Sequence, residues 1–141
     1  MTKTTHLQDT TVLYLDSRPE KLTQFKSLFE GHFNVQLATS AEDAFVSINT
    51  HTVDIVIADE QVQKSSGIAL LNSIKSKHPK IERILISRSK NIDILIDAIL
   101  IGEVFRFIIK PFKKIEILSI IQSLHTKREN LQKEYILQMI R

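Results

Sequence analysis

Asp16, Ser17, Asp59, Ser87 and Lys110 are the residues of this chain whose types could do chemistry together. A carboxylate that accepts a phosphoryl group needs a divalent cation to offset the gathered negative charge, a hydroxyl to hold one phosphoryl oxygen and a fixed cation such as lysine for another. Acids, hydroxyls and a lysine are all present in the set. Taken singly, each is an ordinary solvated loop residue. Taken together they share a position, because each closes or follows a short apolar run of strand-forming residues.

Those runs are residues 12–16 (VLYLD), 33–38 (FNVQLA), 53–59 (VDIVIAD), 81–87 (IERILIS) and 105–109 (FRFII), the last leading into Lys110 and Pro111. Two of them end abruptly in aspartate, as buried parallel strands do at the ligand-binding edge of a sheet. Between the runs, apolar residues recur at helical spacing. Leu22, Phe25, Leu28 and Phe29 follow Pro19; Ala41, Ala44, Phe45 and Ile48 follow Ser40; Ile68, Leu71 and Ile74 follow Gly67; Ile92, Leu95, Ile96, Ile99 and Leu100 precede Gly102. From about residue 113 onward there is neither Gly nor Pro, which predicts one long helix. Five strands alternating with five helices predict an α/β fold, a five-stranded parallel sheet covered on both faces in a three-layer α/β/α sandwich. Right-handed crossovers and the rule that ligands bind outside the carboxyl ends of the strands point to a flavodoxin-like order, 2-1-3-4-5, with function at the strand ends.

The bulk composition excludes several other classes. At 141 residues the chain suits one domain and one core. Apolar residues make up 43% and charged residues 25%, values of a packed fold. The net charge is +3 and the pI about 9.2, but the basic residues are scattered among acids, which gives nucleic-acid binding little support. With no cysteine there is no disulfide framework, thiolate metal site or Cys nucleophile. The histidines show no pairing at metal-ligand spacing. The start lacks an apolar signal region and no stretch nears the ~18 apolar residues of a membrane span, so a cytoplasmic location is expected. Three widely separated glycines supply no phosphate-cradling loop, so an α/β enzyme or nucleotide binder lacks its machinery and the chain is not expected to be an enzyme.

LDS at 15–17, DIVIAD at 54–59 with Gly67 eight residues on, ILIS at 84–87 and FIIKPF at 107–112 form an ordered set. On these motifs residues 12–124 resemble the receiver domain of bacterial two-component response regulators. The stretch GEVFRFIIKPF at 102–112 is similar to receivers of cyclic-di-GMP phosphodiesterase and hydrogenase-type regulators. The resemblance implies that Asp59 is the phosphoacceptor, that Asp16, Asp59 and the Gln61 backbone carbonyl hold Mg²⁺, that Ser87 is the switch hydroxyl, Lys110 the phosphoryl-binding cation and Phe107 the switch aromatic. It implies a sensor histidine kinase or phosphotransfer protein as donor, after which Ser87 moves toward the adduct and Phe107 rotates inward, shifting a two-state equilibrium. It also implies a Lys110–Pro111 bond that is often cis and a homodimer built on helix 4, strand 5 and helix 5. Phe107 read without the resemblance is a core aromatic on an alternating strand.

The sequence departs from that pattern at three places. Ser17 stands where a second metal-binding acid is usual, which predicts weaker Mg²⁺ affinity. Glu60, Gln61, Val62 and Gln63 follow Asp59, where a Met-Pro pair is common at the last two positions. Arg88 follows the switch hydroxyl, and its guanidinium could cover the pocket or pair with Asp59. These departures keep open a pseudo-receiver that binds partners without phosphorylation.

A receiver should end near Leu124, yet helix-compatible sequence runs about 17 residues further, roughly 25 Å of helix. This divides the chain into a polar tail (1–11), the receiver (12–124) and a helical extension (125–141). Ile117, Ile121, Leu124, Arg128, Leu131, Tyr135 and Gln138 follow alternating steps of four and three, the pattern of a coiled coil, beside the plainer alternatives of packing on the domain or fraying. Ile94 and Ile101 on helix 4, and Ile117 and Ile120 on helix 5, exceed what one buried stripe requires and suggest an interface. The chain stops within the helix, which suggests the receiver-plus-linker portion of a longer regulator with an output domain, beside the alternative of a stand-alone protein.

Overall fold

In this computed structural model the described residues are 7–62, 65–88 and 90–140. Gln63 of the loop after Asp59, the first six residues of the tail and Arg141 lie outside them. The strands are β1 (Thr11–Leu15), β2 (Asn34–Ala38), β3 (Ile55–Asp59), β4 (Gln61–Val62), β5 (Ser65–Ser66), β6 (Glu82–Ser87) and β7 (Arg106–Ile109). The helices are α1 (Pro19–Phe29), α2 (Ala41–Thr50), α3 (Gly67–Lys77), α4 (Ile92–Leu100) and α5 (Lys114–Ile140).

Five strands form one parallel sheet in the order β2-β1-β3-β6-β7, the expected flavodoxin-like order once the short β4–β5 pair is set aside. That two-stranded antiparallel ribbon lies in what the sequence presents as a polar loop, and at two residues per strand it is too short to leave a periodic signal. The sheet has a helix layer on each face because its central strands are apolar on both sides. Val12 and Tyr14 of β1 pack with Leu22, Phe25 and Phe29 of α1 and with Ile117, Ile121 and Leu124 of α5. Leu13 and Leu15 pack on the opposite face with Ala44 and Ile48 of α2, Leu70, Leu71 and Ile74 of α3, and Ala98 of α4.

Local chemistry starts the helices where they are needed. Ser40, Ser66 and Asn91 cap α2, α3 and α4, their side-chain oxygens accepting from Asp43 N, Ala69 N and Asp93 N, which satisfies donors that a helix start leaves unpaired. Leu7, within the stretch read as a polar tail, joins the core. Leu28 is exposed, so α1 buries Leu22, Phe25 and Phe29 alone.

Helix α4 corrects the sequence reading. Its only buried residue is Ala98, while Ile92, Ile96, Ile99 and Leu100, read as an inner face, are exposed. In a segment where nearly every residue is apolar, periodicity cannot say which side faces in. The reverse holds on α5, where Ile117, counted as surplus, is buried and Ile120 packs against the core.

Arg128, which interrupts the coiled-coil pattern, has a structural task. Its guanidinium donates to Asp54 Oδ1 (2.9 Å), Asp54 O (2.9 Å) and Lys80 O (2.6 Å), and Asp54 Oδ2 in turn accepts from Thr11 N (2.8 Å). Helix α5 is thereby tied to the amino-terminal edge of the sheet. From residue 130 to 140 every residue is exposed, including Leu131, Tyr135, Ile136 and Ile140. Among the described residues no helix is long and apolar enough to cross a membrane.

Candidate functional site

The parallel sheet brings the expected residues to one edge. Asp16 follows β1, Asp59 closes β3, Ser87 closes β6 and Lys110 follows β7; the registers place Leu15 beside Ala58, Asp59 beside Ile86 and Ser87 beside Ile109. Lys110 Nζ donates to Asp59 Oδ2 and lies 3.7 Å from Asp16 Oδ2. Asp59 Oδ1 accepts from Gln61 N at 3.1 Å, so it is the Gln61 amide that faces the carboxylate. The Lys110–Pro111 bond is cis.

The cation that dominates this edge is one the sequence reading did not single out. Arg18 grips Asp16 with Nε on Oδ1 (3.1 Å) and Nη2 on Oδ2 (3.1 Å), while its backbone N–H also donates to Oδ1 (3.0 Å). The same Nη2 lies 3.7 Å from Asp59 Oδ2. Local sequence explains the pose: a residue before proline is driven to extended backbone, and Arg18, preceding Pro19, has φ −102° and ψ 114°. It stands at the N-cap of α1, where its donor-only guanidinium cannot serve the helix N–H groups and pairs with the carboxylates.

Asp16 is fully buried. Burial works against its carboxylate, but hydrogen bonds from Arg18 and the charges of Lys110 and Arg18 outweigh that and hold its pKa below the ordinary carboxyl range. The Arg18 guanidinium is itself pushed up, first by its hydrogen bond to Asp16. Tyr14 OH donates to Asp16 Oδ2 at 3.1 Å; burial, and next the Asp16 charge, push the phenol far above its ordinary value. These shifts have opposite pH signatures. A lowered acid contributes stability above its unfolded pKa of about 4 that is lost as pH falls through the folded value. A raised tyrosine contributes stability that is complete below about pH 10 and is lost above it, where the unfolded chain sheds a proton the folded one keeps. Unfolding followed against pH should therefore show stability falling less steeply above pH 10 in Tyr14→Phe than in the parent, by up to about 1.4 kcal/mol per pH unit.

Ser87 is nearly fully buried, and its Oγ donates to Glu60 Oε1. Glu60, the residue after the expected acceptor, is a second contributor the sequence reading passed over. Phe107 is half-buried against the α2–α3–α4 core. Arg88 makes no ion pair with Asp59 among the described residues; it is exposed and borders a cavity of ≈ 470 Å³ shared with Tyr14, Phe25, Lys110 and Phe112. The arginine that reaches Asp59 is Arg18; of the two places open to Arg88, over the pocket or paired with Asp59, it takes one beside the cavity.

A sequence profile described as response regulator receiver domain matches residues 12–122. The chain belongs to the response-regulator receiver domain family. The transcriptional regulatory protein ZraR of Salmonella typhimurium is 28% identical over 101 residues, covering 71% of this chain and 23% of that protein. The hydrogenase transcriptional regulatory protein HoxA of Cupriavidus necator is 22% identical over 102 residues, covering 72% and 21%. The chain thus spans under a quarter of the length of these relatives. Among solved structures, the signal receiver domain of an HD domain-containing protein from Pseudomonas fluorescens Pf-5 superposes with a TM-score of 0.81 at 24% identity, over 86% of this chain and 98% of that one. NtrX from Brucella abortus, solved in complex with ADP, superposes with a TM-score of 0.75 at 26% identity over 86% and 29%.

Receiver domains generally take Mg²⁺ at this edge. The donor set of this receiver does not fit that ion. Both oxygens of Asp16 are engaged by Arg18 and Tyr14, Lys110 and Arg18 both face Asp59, and Ser17 supplies a hydroxyl instead of an acid.

Proposed function

We propose that residues 12–124 are a working phosphoryl-accepting receiver, with Asp59 as acceptor, and that residues 125–141 carry its state to an output domain in a longer chain. The observation that carries this reading is the Lys110–Asp59 contact at the strand edge, with Asp16 and Arg18 beside it. A lysine already seated on the acceptor carboxylate is placed to hold a phosphoryl oxygen once that carboxylate is esterified. The donor would be the phosphohistidine of a sensor kinase or phosphotransfer protein. An Asp59 oxygen forms the new P–O bond as the P–N bond breaks; the phosphorylated imidazole carries a proton on its other ring nitrogen, so the departing nitrogen keeps that bond's electron pair and leaves as neutral imidazole.

Ser87 would then leave Glu60 for an adduct oxygen, and Phe107 would follow inward behind it. Both moves start from contacts made here, the Ser87–Glu60 hydrogen bond and a half-buried Phe107. The exposed isoleucines of α4, on the helix whose buried Ala98 shares a core with Phe107 of β7, form the apolar patch through which two copies would pair when the switch is thrown.

One observation favours a second reading, partner binding without phosphorylation: both Asp16 oxygens are already occupied by the protein's own donors. Incubation with acetyl phosphate or phosphoramidate, followed by intact mass, separates the two. A single phosphoryl adduct that is absent from Asp59→Asn is the expected outcome; no adduct under conditions that label a known receiver moves the assignment to the second reading.

A further inference from the structure

Two carboxylates meet two cations at the sheet edge, Asp16 and Asp59 against Arg18 and Lys110. We propose that Arg18 is the resident cation of this site, its guanidinium standing between Asp16 and Asp59 in place of a divalent metal, so that the acceptor is served without one. The inference deepens the reading of Asp59 as acceptor and rests on it for the phosphoryl step, while its metal-excluding half stands apart.

Three features of Arg18 support it. The guanidinium reaches both carboxylates, at 3.1 Å for Asp16 and 3.7 Å for Asp59, which is where a bridging ion would have to sit. Its backbone is held extended ahead of Pro19, so the main-chain pose that sets the side chain's origin is fixed by local sequence. With Tyr14 it supplies two hydrogen bonds to each Asp16 oxygen, leaving no free lone pair for a metal that demands octahedral oxygen ligands.

Charge points the same way. Cation affinity follows the negative charge of the ligand set, and here each carboxylate is already matched by a protein cation, with Ser17 neutral where a further acid would tip the balance. An incoming phosphoryl group finds the opposite situation. Its oxygens suit the planar fork of a guanidinium, which binds phosphate bidentately, together with the point charge of a lysine. Arg18 could turn from Asp59 onto the phosphoryl oxygens with little displacement while Asp16 holds it.

The test is a Mn²⁺ titration read by the loss of the free-ion paramagnetic resonance signal, on the full chain, on Arg18→Ala and on Arg18→Gln, with circular dichroism to check folding. The Arg18 side chain is 35% exposed and outside both core clusters, so its removal does not open the core. Arg18→Gln keeps a donor for Asp16 and serves if Arg18→Ala does not fold. The variants are expected to bind Mn²⁺ at least about tenfold more tightly than the parent, the value of removing one like charge beside a dication even in a water-like dielectric. A parent that binds as tightly as the variants overturns the inference, as do variants that bind no better than the parent. In the second arm, acetyl phosphate should label the parent equally with EDTA or Mg²⁺, and labelling that needs Mg²⁺ overturns the proposal. If no form is labelled under any condition while the Mn²⁺ contrast holds, the acceptor reading fails and Arg18 remains the resident cation.

Discussion

Gly67→Ala is expected to destabilise the domain by about 3 kcal/mol, at the upper end of what overpacking usually costs, because a Cβ on Gly67 would lie 2.0 Å from Asp59 O, 3.0 Å from Asp59 C and 3.1 Å from Glu60 Cα. All three neighbours are backbone, so no side chain can swing away. The close approach is built by the β4–β5 ribbon, which turns the chain back so that Gly67 N donates to Glu60 O at 2.7 Å and the first residue of α3 sits against the strand end that bears Asp59. Glycine is needed here for contact distance, since it does not adopt positive φ. Gly31→Ala is the control: nothing lies within 4 Å of its Cβ, and there the alanine should be neutral or stabilising by up to about 1 kcal/mol through the unfolded chain. Urea unfolding of both variants measures the contrast, and phosphoryl labelling of Gly67→Ala should slow because Asp59 itself must shift.

Phe25→Ala is expected to cost about 3–5 kcal/mol, the usual range for emptying a buried phenylalanine site. Phe25 is 2% exposed and is the hub of an aromatic cluster, stacked on Tyr14 with centroids 4.1 Å apart and tilted against Phe29 at 4.7 Å. Its loss also reaches the site. Tyr14 is held by that stack and donates to Asp16, so the cavity left by Phe25 frees the phenol that helps fix the carboxylate gripped by Arg18. Leu28→Ala, one turn on and exposed, should cost under 1 kcal/mol. If denaturant midpoints showed the two changes to be equal, α1 would not be packed on the Phe25 face.

The sheet was readable in the sequence because a parallel strand buried on both faces leaves an unbroken apolar run, and the polar residue that ends it marks the functional edge. Asp16, Asp59, Ser87 and Lys110 could be placed there before any coordinates. Arg18 could not, since an arginine beside proline reads as a solvated loop residue. The usable signal was its place at an N-cap, where Ser, Thr, Asp or Asn would serve the helix better. Glu60 was hidden for a similar reason, being judged by its neighbours in the chain when its partner, Ser87, comes from another strand. On α4 the surplus of isoleucine erased the stripe that would have shown its inner face. Arg128 was legible only as an interruption, because its partners are an acid and two carbonyls from distant segments.

The proposed path from site to surface would run through the same contacts. Ser87 and Phe107 lie on adjacent strands, β6 and β7, and α4, with only Ala98 buried, is the least anchored of the helices next to them. A helix held by so little core can shift at small cost when the strand ends beneath it rearrange.

The most direct measurement is borohydride reduction of the phosphoryl-labelled protein followed by peptide mapping, since an acyl phosphate on aspartate is reduced to homoserine. Homoserine at position 59 alone is the expected result. Homoserine at position 16, or labelled protein that yields none, would contradict the assignment of Asp59 as the acceptor.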